Sequence, residues 1–176
     1  MSKLGRATYI LLIAACCAAL FVMVEKHLTL ARPAARVNAM RSLIGASLKL
    51  DGPNWSASRV NVVAGIKSGC RFCQASLPLY RRLVSLTQEP GVSAAIYAVS
   101  SDSAEETKRF LSTGGVEPVG IYRRALSAMG ISATPTLFLV DSSGAVRNII
   151  VGRLSDAEGD RLLAAVRSGK LDTKIR

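Results

Sequence analysis

The chain has 176 residues, with 23 Lys and Arg against 12 Asp and Glu for a net charge of +11, and only 5% of its residues are aromatic. Its basic residues, among them Arg81, Arg82, Arg123, Arg124, Arg147, Arg153, Arg161 and Arg167, are spread along the sequence and do not cluster around aromatics or Gly-rich loops, which argues against nucleic-acid binding. A charge of this kind suits an anionic membrane surface or an acidic partner.

Residues 7–24 carry no charge, and a run of about 18 such residues is just long enough to cross a bilayer as a helix. This predicts an N-terminal membrane anchor over residues 1–25. Two alternatives stay open. A cleaved signal peptide has a shorter apolar core followed closely by small residues, and Ile13-Ala14-Ala15-Cys16 resembles a bacterial lipoprotein processing box, although the apolar run continues past Cys16. Lys3 and Arg6 precede the segment while Lys26, Arg32, Arg36 and Arg41 follow it, so a simple positive-inside count opposes an outward-facing domain. Large domains translocate largely regardless of that count. Cys16 and Cys17 sit within the apolar run as small hydrophobes, and His27 stands at its edge.

Residues 26–43, rich in Ala and Arg with no sustained period, read as a linker. Roughly 125–135 residues remain, enough for one packed domain and too few for two; this domain is expected over residues 44–176. Residues 47–50 followed by Asp51-Gly52 predict a short strand and turn, with Trp55 as a packing residue beside it. Residues 60–66 are apolar and β-branched, the composition of a central parallel strand buried on both faces. Beyond Cys70, the residues Cys73, Leu77, Tyr80 and Val84 recur at i, i+4, i+7 and i+11, one face of a helix, with Pro78 inside the pattern expected to kink it. A strand at 94–99 precedes Ser103 and Glu106, whose capping-box spacing opens a helix to about Leu111. A short helix at 124–129 closes on Gly130. Residues 136–140 and 146–151 flank the turn Asp141-Ser142-Ser143-Gly144 as a hairpin, and Ser155 with Glu158 starts a last helix to about Arg167. Strands alternating with helices and ending in a hairpin give an α/β fold with a mixed sheet.

The sequence Cys70-Arg71-Phe72-Cys73 lies between the strand at 60–66 and the helix that follows. Cys70 therefore falls at a helix N-terminus, where unpaired N–H groups and the helix dipole favour an anion and lower a thiol pKa from about 8.5. Cys73, on the apolar stripe, points inward. Arg71 adds positive charge near the expected Cys70 thiolate, Lys67 reads as a surface residue, and Phe72 either covers the sheet edge or offers an apolar contact to a partner. Zinc needs about four ligands, and the remaining cysteines and the one His lie at the N-terminal segment, so no metal or other cofactor is expected. A purely structural disulfide between Cys70 and Cys73 would close a very short loop and contribute little.

Together with the dithiol, the run Ile131-Ser132-Ala133-Thr134-Pro135-Thr136-Leu137-Phe138-Leu139-Val140-Asp141, then Gly144 and Gly152, resembles the thioredoxin superfamily, and the N-terminal anchor makes the membrane-tethered, TlpA/ResA-like thiol-disulfide oxidoreductases of bacteria the nearest relatives. The resemblance covers residues 44–170. It implies that Pro135 is cis and lies beside the dithiol, that the backbone of Thr134 pairs with an extended substrate, and that Pro78 marks the family's helix kink. An X–Pro bond is the one peptide bond that adopts cis at modest cost. The family commonly has Trp before the first cysteine, Pro before the second, a Glu three residues after it in the ResA-like branch, and in thioredoxins a buried Asp six residues before the nucleophile. Here those positions are Gly69, Phe72, Ser76 and Ala64, which bears on rate, redox poise and substrate range.

The resemblance implies an enzyme outside the cytoplasm, anchored in the inner membrane, in which Cys70 forms a mixed disulfide with protein disulfide or dithiol substrates and Cys73 resolves it. It further implies a membrane electron donor and net reduction of substrate disulfides; a cation at Arg71 pulls toward a stronger oxidant by only about 20 mV, so the expected potential is about −270 to −180 mV. A peroxiredoxin-type peroxidase would require Pro and Thr where the chain has Gly65 and Lys67. A copper-carrying assembly factor would add a His to the dithiol, and none follows His27. A noncatalytic domain that retains the fold is the remaining alternative.

Overall fold

The strand at 60–66 is apolar at every second position and closely packed at the positions between, and it becomes the middle of a five-stranded sheet. The computed structural model describes residues 12–13, 15–21, 23, 40–173 and 175. Residues 12–13, 15–21 and 23 are helical and exposed and belong to a unit spanning Met1–Asn38. Among the described residues no helix is long and apolar enough to cross a membrane. The rest of the predicted anchor, and the predicted linker up to residue 39, lie outside the described residues.

The second unit, Ala39–Arg176, contains the sheet. Its strands are β1 (Val60–Ile66), β2 (Ala94–Ser100), β3 (Gly120–Arg123), β4 (Thr136–Asp141) and β5 (Val146–Val151), in the spatial order β3-β2-β1-β4-β5. Strands β1, β2 and β3 are parallel, while β4 is antiparallel to β1 and to β5. The helices are α1 (Arg71–Gln74), α2 (Leu77–Thr87), α3 (Ala104–Ser112) and α4 (Asp156–Ser168). The mixed α/β sheet expected from the sequence is present.

Period-2 alternation divides the core. Val60, Val62, Ala64 and Ile66 of β1 join Leu77, Tyr80, Leu83 and Leu86 of α2 and Leu162, Leu163 and Val166 of α4 on one face. Val63 joins Tyr97, Val99, Phe138 and Val140 on the other, covered by Leu48, Leu50, Met129 and Ile131. Burying each such large aliphatic or aromatic side chain contributes roughly 1.5–3 kcal/mol, so the sheet's centre is where stability concentrates. Asn61 is the polar exception on β1, fully buried, its Nδ2 donating to the carbonyls of Trp55, Ser58 and Asp141.

Three local expectations change. The predicted strand at 47–50 is an isolated bridge between Ser47 and Ala145, although Leu48 and Leu50 are buried. The segment predicted as a helix at 124–129 splits, with β3 ending at Arg123 and a 3-10 turn at Leu126–Met129 closed by Gly130 in the left-handed region. The single kinked helix after the dithiol is two helices with a break at Ala75 and Ser76. Pro78 enters in the first turn of α2, where an N–H would have no intrahelical partner in any case, so it starts that helix and does not bend a longer one.

Candidate active site

Two strand ends meet at the dithiol. Because β4 runs antiparallel to β1, with Gly65 opposite Thr136, the residues that lead into β4 lie beside those that leave β1. Thr134 and Pro135 thereby come next to Cys70. The Thr134–Pro135 peptide is cis, the Pro135 carbonyl accepts from Gly152 N–H at 2.7 Å, and Thr136 Oγ1 donates to the Ala133 carbonyl at 2.7 Å. Those contacts hold the loop from the β5 end and from within.

Cys70 is the N-cap of α1, with extended backbone (φ −91°, ψ 114°), and its carbonyl accepts from Gln74 N–H at 3.0 Å. It is half-buried, whereas Cys73 is 0% exposed. Both are free thiols. The Sγ of Cys70 donates to the Thr134 carbonyl at 3.4 Å. Partial burial pushes the Cys70 thiol up, but hydrogen bonds from the Thr134 side chain, from the N–H groups of Cys73 and Phe72 and from the Cys73 thiol outweigh it, leaving the pKa below its ordinary value. Burial instead pushes Cys73 up to about 11, against the lowering influence of the Lys67 N–H and Thr134. The two sulfurs share a hydrogen bond that favours the anion on Cys70.

Arg71 packs against its neighbour in the chain. Its guanidinium carbon lies 4.7 Å from the centroid of the Phe72 ring, and the donors acting on Cys70 do not include it. Phe72 is 47% exposed, an aromatic face next to the nucleophile candidate. Ser76, which stands where the ResA-like branch has Glu, donates from Oγ to the Phe72 carbonyl at 2.8 Å. The buried Tyr80 hydroxyl lies deeper along the same stripe with burial raising its pKa; Ser76 is close enough to lower it, yet the Ser76 proton goes to Phe72 and no hydrogen bond closes on Tyr80. Among the described residues no group of three or more His, Cys, Asp or Glu is placed to hold a metal ion.

One feature of the neighbourhood was not anticipated from the sequence. Ser68 donates to the Asp102 carboxylate from both its N–H, at 2.7 Å, and its hydroxyl, at 2.8 Å, and the same hydroxyl lies 2.9 Å from a Glu106 oxygen. The parallel register pairs Ile66 with Ser100, so the residues two beyond each strand end meet. That signal is available only once the strand register is known.

No protein-family model matches the chain. Over 100 residues it is 27% identical to the thiol-disulfide oxidoreductase ResA of Geobacillus thermodenitrificans, a stretch covering 56% of this chain and 58% of that protein. The corresponding ResA of Geobacillus kaustophilus is 26% identical over the same shares. Over that stretch the chain is similar to ResA-type thiol-disulfide oxidoreductases. It spans about 58% of the length of the curated relatives it matches. Among solved structures, a DsbE-type thiol:disulfide interchange protein of Chlorobium tepidum superposes with a TM-score of 0.55 at 21% identity, over 65% of this chain and 82% of that one. A secreted disulfide oxidoreductase of Mycobacterium tuberculosis gives 0.53 at 13% identity, over 70% and 93%. These two establish the thioredoxin-like fold of the chain.

Proposed function

We propose that the chain is a thiol-disulfide oxidoreductase acting on proteins through Cys70 and Cys73. The observation that carries this reading is the asymmetry of the pair: Cys70 is accessible with a lowered pKa, and Cys73 is buried and held protonated. A thiolate at Cys70 attacks one sulfur of a partner disulfide, forming a mixed disulfide and releasing the other partner sulfur as a thiolate, which takes up a proton. Cys73 then loses its proton and attacks Cys70 Sγ, and the second partner thiolate leaves. Two electrons pass from the dithiol to the partner, and Cys70–Cys73 becomes a disulfide. Thr134 and Pro135 align the partner strand across the sulfurs.

Residues 1–25 anchor the protein in the inner membrane, residues 26–43 tether it, and the domain from residue 44 faces the periplasm or cell exterior, where a membrane electron donor re-reduces it. The uncharged segment over residues 7–24 supports the anchor. The reduced full chain in detergent reduces a protein disulfide such as that of insulin; Cys70→Ser abolishes this, and Cys73→Ser accumulates mixed disulfides. The reverse pattern in the two variants would overturn the roles. An alkylating probe that cannot cross the inner membrane labels Cys70 in intact reduced spheroplasts; labelling only after lysis would overturn the placement.

A further inference from the structure

Lys67, Ser68 and Gly69 form the turn that delivers Cys70 to the N-terminus of α1, closed by a hydrogen bond from Cys70 N–H to the Lys67 carbonyl at 3.1 Å. Beyond that bond the turn's own side chains pack little: Gly69 has open space around it, and Lys67 is exposed. The turn is held from outside by the Asp102 carboxylate, which accepts both donors of Ser68, and Asp102 is itself oriented by its own N–H donating to Ser100 Oγ at 3.1 Å, at the end of β2. Glu106, in the first turn of α3, places a carboxylate oxygen 2.9 Å from the same hydroxyl, whose single proton the two carboxylates share. A strand end and a helix start are thus tied to the turn on which the dithiol depends.

Resting on the oxidoreductase reading above, we infer that Asp102 is a positioning residue for the dithiol, acting through Ser68 to hold the Lys67–Cys70 turn so that backbone N–H groups stay aimed at both sulfurs. The N–H groups of Phe72 and Cys73 face Cys70, and that of Lys67 faces Cys73. A turn free to swing loses these alignments together, because the N-cap residue and the Lys67 amide are its two ends. The charged groups around the clamp are Lys67 and Glu106, and Arg71 is turned onto Phe72.

Geometry and charge make opposite demands, which makes the inference testable. Removing a nearby negative charge favours the Cys70 thiolate and lowers its pKa, whereas loosening the turn removes donors and raises it. The full chain, with Cys16→Ser and Cys17→Ser so that only the dithiol reports, is reduced and mixed with 5,5′-dithiobis(2-nitrobenzoate). The first release of thionitrobenzoate reads attack by Cys70, and the second reads closure by Cys73.

Asp102→Ala is expected to move the pH midpoint of the first phase upward by about half to one unit and to slow the second about fivefold or more. Asp102→Asn keeps an oxygen that accepts from Ser68 and stays within about twofold of the parent in both phases. Equal downward shifts in Asp102→Ala and Asp102→Asn would show a pure charge effect and overturn the inference, as would a lowered thermal midpoint in Asp102→Ala with both phases unchanged. If Asp102→Ala does not fold, Ser68→Ala is judged by the same criterion: an upward midpoint supports the clamp and an unmoved one overturns it. Failure of the parent protein to give a low-pH first phase or any second release would instead remove the oxidoreductase reading itself.

Discussion

Cys70 Sγ lies 3.4 Å from the carbonyl oxygen of Thr134, and the Thr134 side chain lowers the pKa of both Cys70 and Cys73. One residue therefore presents an acceptor to the thiol and a donor to the thiolate. Hydrogen bonds to charged groups are worth about 1.5–3 kcal/mol, so Thr134→Val, which keeps the shape and loses the hydroxyl, is expected to raise the pH midpoint of Cys70 alkylation by about one unit. An unmoved midpoint would remove the Thr134 hydroxyl from the site and leave only its backbone.

The buried thiol predicts an alkaline weakness. Cys73 has its folded pKa raised from 9.0 to about 11, with burial the first cause. An acid held neutral in the folded state contributes stability below its unfolded pKa and loses it as pH rises through the folded value. Between pH 9 and about 11 the reduced protein should therefore lose stability that Cys73→Ala does not lose. Thermal midpoints across this window check it: the wild type falls by several degrees more than the variant. Tyr80 shifts in the same direction but is common to both proteins. Parallel pH profiles would mean that Cys73 is not the group responsible.

Arg71 marks a limit of reading charge from sequence. Its place between the cysteines suggests a cation beside the thiolate, but spacing along a chain does not say which way a long side chain turns, and here the guanidinium lies over the Phe72 ring. Such an exposed contact is worth about 0.5–1 kcal/mol. Arg71→Ala is expected to shift the Cys70 midpoint by less than about 0.3 pH units, well below the Thr134→Val effect. A shift as large as that of Thr134→Val would restore Arg71 as the dominant influence.

Elsewhere, legibility followed the strength of the local pattern. Strand β1 was legible because every residue in Val60–Ile66 is buried and apolar or small except Asn61. The capping boxes were legible from residue type and spacing, and Ser155 with Glu158 closes reciprocally. At Ser103 only half of the box forms, since Glu106 N–H donates to Ser103 while the Glu106 carboxylate turns to Ser68. Strand β3 was not legible because four partly exposed residues, Gly120–Arg123, carry no alternation and are held by pairing to β2. The Ser68–Asp102 contact joins residues 34 apart in sequence, so only the register of β1 against β2 reveals it.

Asp141, read from the sequence as the start of the hairpin turn, holds that turn together. Its Oδ1 accepts from Ser143 N–H at 2.8 Å, Ser143 Oγ at 2.6 Å and Ala145 N–H at 3.1 Å, and its Oδ2 accepts from Arg147 Nε at 2.6 Å. Desolvation opposes ionisation, but these bonds outweigh it and hold the carboxyl at about 2. Gly144 completes the turn in the left-handed region (φ +84°), where an added Cβ would meet Trp55 Cδ1 at 2.9 Å. A depressed acid pKa contributes stability above the unfolded value and loses it as pH falls through the folded one, so this contribution disappears between pH 3.8 and about 2. With the exposed Arg147 partly screened by solvent, Asp141→Asn is expected to cost about 1–2 kcal/mol at neutral pH. The difference between wild type and variant in urea unfolding should close as the pH approaches 2. A gap that persists undiminished at that pH would mean the carboxylate charge contributes nothing, and that the turn depends on the shape of the side chain alone.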